Sequence, residues 1–275
     1  MKIGIIGAGR MGFTLGKHFV LGGLSVEGFY SRNPESARAA ADFTNTNCFE
    51  TMQALAEACD TIFLTVPDGQ IEPVAKALDK YADTLEGKRI IHTSGALSSR
   101  VFSGMKSRIY GYSIHPIYAT NDKYSSYKEF RNCFITIEGD EAYAQDFVLM
   151  FETLGHGCRI ISAEDKSRYH AACVMASNLV IGLYKLAADN LSQCGFSREE
   201  AEQALKPLFQ NNAENLMAYG MRDALTGPVA RGDAETVKKH LSVLQGSSLD
   251  AYKALTRALI ELTEQKPDRY FEKDK

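Results

Sequence analysis

Three groups of residues have types and spacings that could do chemistry. The first opens the chain, where KIGIIGAGRMG sets Gly7, Gly9 and Gly12 in a G-x-G-x-x-G spacing between an apolar run and an amphipathic one. In such a turn the first glycine permits the tight bend, the second lets backbone amides approach a diphosphate, and the third lets a helix sit close to the preceding strand. The amides and dipole of that helix then hold the anion. Gly7, Ala8, Gly9, Arg10, Met11 and Gly12 are therefore expected to grip a dinucleotide.

The second group follows the next strand as Tyr30, Ser31, Arg32 and Asn33. A carboxylate here would accept hydrogen bonds from a ribose 2′-hydroxyl, and none is present. Arg32 offers a planar cation, flanked by the donors of Ser31 and Asn33, that suits a 2′-phosphate. NADP(H) is the expected cofactor, with NAD(H) less favoured. The plainer reading is an exposed arginine in a turn before Pro34. Thr65, Val66, Pro67 and Asp68 follow the fourth strand, and Val66 and Pro67 are expected beside the adenosine; an ordinary strand-ending turn would use the same residues.

The third group is spread along the chain. Thr93, Ser94 and Gly95 end the fifth strand, where small hydroxyl residues could meet substrate and where a serine equally well caps a helix. His115 before Pro116 ends the sixth, placed to donate a proton or bind a carboxylate. In SAEDKSRYHAACVMASNLVIGLYKL, a helical period brings Lys166, His170, Cys173, Ser177 and Tyr184 onto one stripe with Asn178 at its flank. Lys166 and His170 are the expected acid or base, facing a cleft; a hydrated first turn is the competing reading. In LTGPVARGDAETVKKHL, Thr226 and Arg231 are candidate substrate contacts, Arg231 for a carboxylate, and Asp233 reads as a helix N-cap.

The elements that must position these groups alternate in the first half. Strands are expected at 2–6, 25–30, 47–48, 61–66, 89–92, 109–113 and 133–138, with helices near 10–22, 34–41, 51–57, 69–82 and 141–154. This pattern predicts an α/β, Rossmann-type doubly wound parallel sheet with ligands at the carboxyl ends of its strands. Beyond Cys158 the pattern turns helical over 163–193, 197–219 and 233–264. The expected division is a dinucleotide-binding domain over 1–161 and an all-α substrate and dimerisation domain over 162–275.

With 45% hydrophobic and 24% charged residues the composition is that of a globular protein, and a formal net charge of -3 argues against a nucleic-acid partner. No uninterrupted apolar run approaches the roughly 18 residues of a membrane span, so no membrane partner is expected. The six cysteines are scattered singly, which predicts reduced thiols in the cytoplasm and no metal site.

Taken together, the glycine turn, SRN, HTSG, HP, KSRYHAACVMASN and TGPVARGD resemble a family in which a Rossmann-like domain joins a helical domain of unknown function. The resemblance covers nearly the whole chain and extends to pyrroline-5-carboxylate reductase, ketopantoate reductase and the β-hydroxyacid dehydrogenases. It implies an NAD(P)H-dependent oxidoreductase acting on a small anionic carbonyl or hydroxy compound, forming a homodimer through its C-terminal helices. An imine reductase and a non-catalytic NADP(H)-binding sensor or scaffold are the alternatives. In the β-hydroxyacid dehydrogenases a helix lysine that acts as acid or base is followed four residues later by asparagine. Here Lys166 is followed by His170, which leaves either as the proton donor.

Overall fold

The structure, a computed structural model, describes residues 1–271. Strands β1 (Lys2–Ile6), β2 (Ser25–Tyr30), β3 (Asn47–Cys48), β4 (Thr61–Leu64), β5 (Arg89–His92), β6 (Tyr110–Ile117), β7 (Phe134–Gly139) and β8 (Gly157–Ile160) form one sheet. Its order is β3-β2-β1-β4-β5-β6-β7-β8. The chain builds outward from β1 through β2 to β3, then crosses back to lay β4 on the other side of β1. The carboxyl ends of β1 and β4 therefore flank the point where the winding reverses, which is where such sheets take ligands.

Side-chain alternation distributes the core between the two faces. In β4, Ile62 and Leu64 face a cluster with Leu55, Ile71 and Leu78, while Phe63 joins Phe13, Phe19 and Phe147 on the other side. Gly4 admits the Met52–Ala58 helix, since a Cβ there would lie 2.6 Å from Leu55 Cδ2. A strand buried on both faces reads as a continuous apolar run, as IFL does between Thr61 and Thr65.

The sheet departs from the all-parallel expectation at its far edge. β7 runs antiparallel to β6, and β8, absent from the sequence reading, pairs parallel with β7. Three of the four β8 residues are exposed, so the strand lacks the apolar signature that marks the others.

Two compact units result, Met1–Cys173 and Val174–Lys275. The first runs beyond residue 161 because the helix Lys166–Met175 packs its Lys166, Tyr169 and His170 side chains onto the ends of β5 and β6. The expected helix over 163–193 is broken: Ser177, at φ −127° and ψ −89°, separates Lys166–Met175 from Asn178–Gln193. The stripe drawn from Lys166 through Cys173 to Tyr184 thus ends at Cys173. The expected 233–264 helix is likewise two, Ala234–Val243 and Gly246–Glu261, parted by extended Gln245.

The second unit holds these helices with Arg198–Asp223, which bends at Gly220. Its own core is small, built on Val229, Val237, Ile260 and Tyr270. Ser197 and Glu200 form a reciprocal capping box, and Asp233 caps its helix through the Thr236 amide at 3.0 Å.

Candidate functional site

The glycine turn is built around Thr65 at the end of β4. Gly7, at φ +112°, donates its amide to Tyr30 O at 2.8 Å, and the Thr65 hydroxyl donates to Gly7 O at 2.8 Å. A Cβ on Gly12 would lie 2.2 Å from Gly7 O, so only glycine lets the helix Arg10–Leu21 begin so close to the strand. A Cβ on Gly9 would meet nothing nearer than Thr65 O at 4.0 Å. That open space is the cradle a diphosphate needs. The helix has no side-chain cap at its N-terminus, which leaves first-turn amides for an anion.

Above the turn lies a cavity of about 370 Å³ lined by Gly7, Ala8, Gly9, Ser31, Arg32, Asn33, Val66 and Pro67 among others. The structure thus brings together eight of the expected cofactor contacts. Arg10, Met11 and Gly12 are not on its lining. The Arg10 guanidinium donates to Thr120 O at 3.3 Å and Met11 packs into the core, so neither presents a side chain to the cavity. Asn33 is partly committed, its Oδ1 accepting from the amides of Glu35 and Ser36 as the N-cap of Pro34–Thr44. Ser36 and Gln70 also line the cavity and were missed; Ser36 lies in the first turn of Pro34–Thr44, three residues after its N-cap Asn33, a placement that could have revealed it.

A second cluster lies at the ends of β5 and β6. Lys166 was expected to open onto a cleft; instead it is only 2% exposed. Its Nζ donates to Ser113 Oγ at 2.7 Å and to Ser94 O at 3.1 Å. Burial draws this ammonium down to about 8, against the raising influence of Glu138, Cys173 and Asp68. Ser94, expected as a substrate contact, has its hydroxyl committed: it donates to Asp68 Oδ2 at 2.8 Å and accepts from the amides of Ala96 and Leu97. Capping, the plainer of the two readings of this serine, is the geometry observed.

Two imidazoles complete the cluster. His115 Nδ1 is hydrogen-bonded to the Tyr169 hydroxyl at 2.5 Å, and the His115 and His170 rings stand edge to face with centroids 6.5 Å apart. Gly95 makes room for both: a Cβ there would lie 2.8 Å from His170 Cδ2 and 2.9 Å from His115 Nε2. Burial, aided by Lys166, His170 and His92, lowers His115 to about 3, and burial raises the Tyr169 phenol. Beneath them His92, fully buried, accepts at Nδ1 from the Ser94 amide and is paired at Nε2 with Ser98 O; burial lowers it to about 4. Tyr169 and His92 were missed by sequence reasoning. Tyr169 sits three residues after Lys166, within the same helical face, which is the signal that could have found it.

Asn178, Thr226 and Arg231 belong to the second unit, and all three are exposed there. Thr226 precedes the short helix Gly227–Ala230, and Arg231 ends it.

This geometry is that of a Rossmann-like nicotinamide-dinucleotide fold with a helical C-terminal region. Residues 2–95 match the family described as NADP oxidoreductase coenzyme F420-dependent, and residues 133–259 match a domain of unknown function, DUF2520. The expected pairing of a Rossmann-like domain with a helical domain of unknown function is thereby shown. Among solved structures, the chain is similar to protein TM1727 from Thermotoga maritima, at 25% identity and a TM-score of 0.73, over 94% of this chain and 97% of that one. A pyrroline-5-carboxylate reductase from Coxiella burnetii shares the fold at 16% identity and a TM-score of 0.59, over 96% and 99% of the two chains. An imine reductase from Myxococcus stipitatus in complex with NADP+ does so at 16% identity and a TM-score of 0.59, over 95% and 92%. No curated protein matches the chain.

Proposed function

We propose that this protein is an NADP(H)-dependent oxidoreductase acting on a small, anionic carbonyl or hydroxy compound. The observation that carries the reading is the open cradle over Gly9, roofed on one side by Arg32 where a dehydrogenase preferring NAD(H) would place a carboxylate. Gly7, Ala8 and Gly9 hold the diphosphate through backbone amides, and Arg32 with Ser31 and Asn33 takes the 2′-phosphate. A reduced nicotinamide, when bound, supplies the hydride.

The chain's own residues supply the rest. In the reductive direction the carbonyl carbon gains a hydride and its oxygen gains a proton. His170 donates that proton and recovers one from solvent; it is half-buried beside Gly95, and its ring makes no side-chain hydrogen bond among the described residues. His115 stands next to it to orient the same oxygen. Asn178, Thr226 and Arg231 are proposed as ligand contacts of the second unit, Arg231 for a carboxylate. The same proton chemistry serves an imine, and a sensor would keep the nucleotide site without turnover.

A cytoplasmic homodimer through the C-terminal helices completes the proposal, with no nucleic acid or membrane as partner. Its support is the apolar surface of the second unit, where Ile181 is 72% and Met217 78% exposed. The helical run 166–193 is long and apolar enough to cross a membrane by length and composition. The break at Ser177 and the burial of Lys166 within the first unit favour a second copy as its cover. Sedimentation at micromolar concentration is expected to show a dimer; a monomer that floats with liposomes would overturn that part.

The activity test is oxidation of NADPH across a panel of 2-oxo acids, 2-oxo alcohols and cyclic imines. Turnover is expected with one class and should fall about 100-fold or more in His170→Gln. NADPH binding with no turnover anywhere in the panel would favour the sensor.

A further inference from the structure

The sequence leaves Lys166 and His170 as rival proton donors, and the geometry separates them. We infer that Lys166 is a positioning residue: its ammonium, locked on Ser94 O and Ser113 Oγ, sets the strand ends and the local field that make the Tyr169–His115 pair a neutral hydrogen-bonding unit of the site. This inference rests on the oxidoreductase reading for its purpose, but not for its test.

The hydrogen bonds form a continuous lattice. Asp68 accepts from the Ser94 hydroxyl, the Ser94 carbonyl accepts from both Ser113 Oγ, at 3.1 Å, and Lys166 Nζ, and Lys166 donates again to Ser113. The next residue after Ser94 is Gly95, against which both imidazoles pack. Two residues after Ser113 comes His115, held at its other face by Tyr169 from the helix that carries Lys166. One ammonium therefore ties together the backbone of β5, the side chain of β6 and the helix that supplies Tyr169 and His170. To protonate a substrate it would have to leave both acceptors and emerge from near-complete burial, a motion that would dismantle this lattice.

The charges around the pair are unbalanced in a useful direction. His115 faces Lys166 and His170 from the helix and His92 from β5, while Asp68 before β5, Glu138 from β7 and Cys173 from the helix act on Lys166. Among the described residues Lys166 has no carboxylate within ion-pair distance; Glu138 is committed to the amide and hydroxyl of Ser99, each at 2.7 Å. Burial is the larger cause of the neutral ring, and the uncancelled ammonium adds to it by disfavouring a second positive charge on His115. With Nδ1 engaged by Tyr169, Nε2 is the ring atom left to meet a ligand, and it does so uncharged. A neutral imidazole can orient a carbonyl oxygen without competing with His170 for the proton.

The test is histidine side-chain NMR on the full chain, free of cofactor, over pH 2.5–8. In the wild type the His115 ring is expected to stay neutral down to about pH 4. In Lys166→Met its protonation midpoint should rise by about one pH unit or more, and in Lys166→Arg, which keeps the charge, it should stay low. Tyr169→Phe should release Nδ1 and change the ring's nitrogen shifts. A wild-type His115 that titrates near its ordinary value of 6.5 would overturn the inference, whether or not Lys166→Met folds. So would a midpoint indifferent to the loss of the lysine. NADPH titration of the same samples keeps the two readings apart: failure of the wild type to bind NADPH sinks the oxidoreductase proposal and leaves the His115 result standing or falling on its own.

Discussion

The two ends of the ligand edge are made differently. The nucleotide turn is a backbone device, in which Gly7, Gly9 and Gly12 lie within six residues and the contact surface consists of amides and empty space. The imidazole corner is a side-chain device, in which Asp68, Ser94, Ser113, His115, Tyr169 and His170 arrive from segments up to about a hundred residues apart. The first depends on what is absent from Cβ positions, the second on hydrogen bonds that only the completed sheet can bring together. They should therefore fail separately, and substitutions that break one should leave the other readable.

The sharpest break is Gly12→Val. Its Cβ would collide with Gly7 O, a backbone atom that cannot turn aside, so the turn and helix must part. A loss of about 3 kcal/mol or more of stability is expected, with NADPH binding abolished, checked by thermal melting and titration. Retention of full affinity would show that the helix can begin elsewhere.

Acid should act on the buried imidazoles, those of the corner and His18 on the helix Arg10–Leu21, and not on the glycine turn itself, which holds no histidine. His92 and His18 are lowered from 6.5 to about 4 and His115 to about 3, all three by burial above all, with His156 adding to the effect on His18 and Lys166 to that on His115. Below 6.5 the unfolded chain takes up protons that the fold refuses, so the unfolded state binds more and stability falls as pH drops from about 6.5 toward about 4. The decline should reach about 1 kcal/mol per pH unit or more, measured by urea unfolding across that window. A flat profile would mean these rings are solvated.

Gly95→Ala makes the converse cut. Its Cβ would press on the far edges of His115 and His170, which can swing, so the fold should survive with unchanged NADPH affinity. Displacing the rings by part of an ångström should lower turnover about 100-fold, read by NADPH oxidation with the substrate class that the panel identifies. Equal losses in affinity and turnover would mean that the two ends are one device.

The same contrast explains what the sequence could reveal. KIGIIGAGRMG and SRN are contiguous, and their chemistry lies in backbone freedom and one cation, so the turn, the doubly wound fold and the Arg32 side of the cavity were legible. The corner was legible only as a set of polar candidates. Ser94 and Lys166 looked like ligand contacts because sequence shows a hydroxyl and an ammonium but not the partners that occupy them. Tyr169 was passed over because, at about 100° per residue, it falls about 60° to one side of Lys166, off the narrow stripe through His170 and Cys173. The break at Ser177 was hidden because SNLVIG continues an apolar helical period across it, and β8 because an exposed edge strand carries little hydrophobic alternation.

The proposed preference for NADP(H) rests on Arg32, the side chain on the cavity lining that is proposed to meet a 2′-phosphate. Calorimetric titration of NADPH and NADH into the wild type and Arg32→Ala is the measurement. The wild type should prefer NADPH, and the substitution should weaken NADPH by about 10- to 100-fold, the worth of one or two charge-assisted hydrogen bonds, while leaving NADH nearly unchanged. Equal affinities in the wild type, or a preference that survives the loss of Arg32, would contradict it.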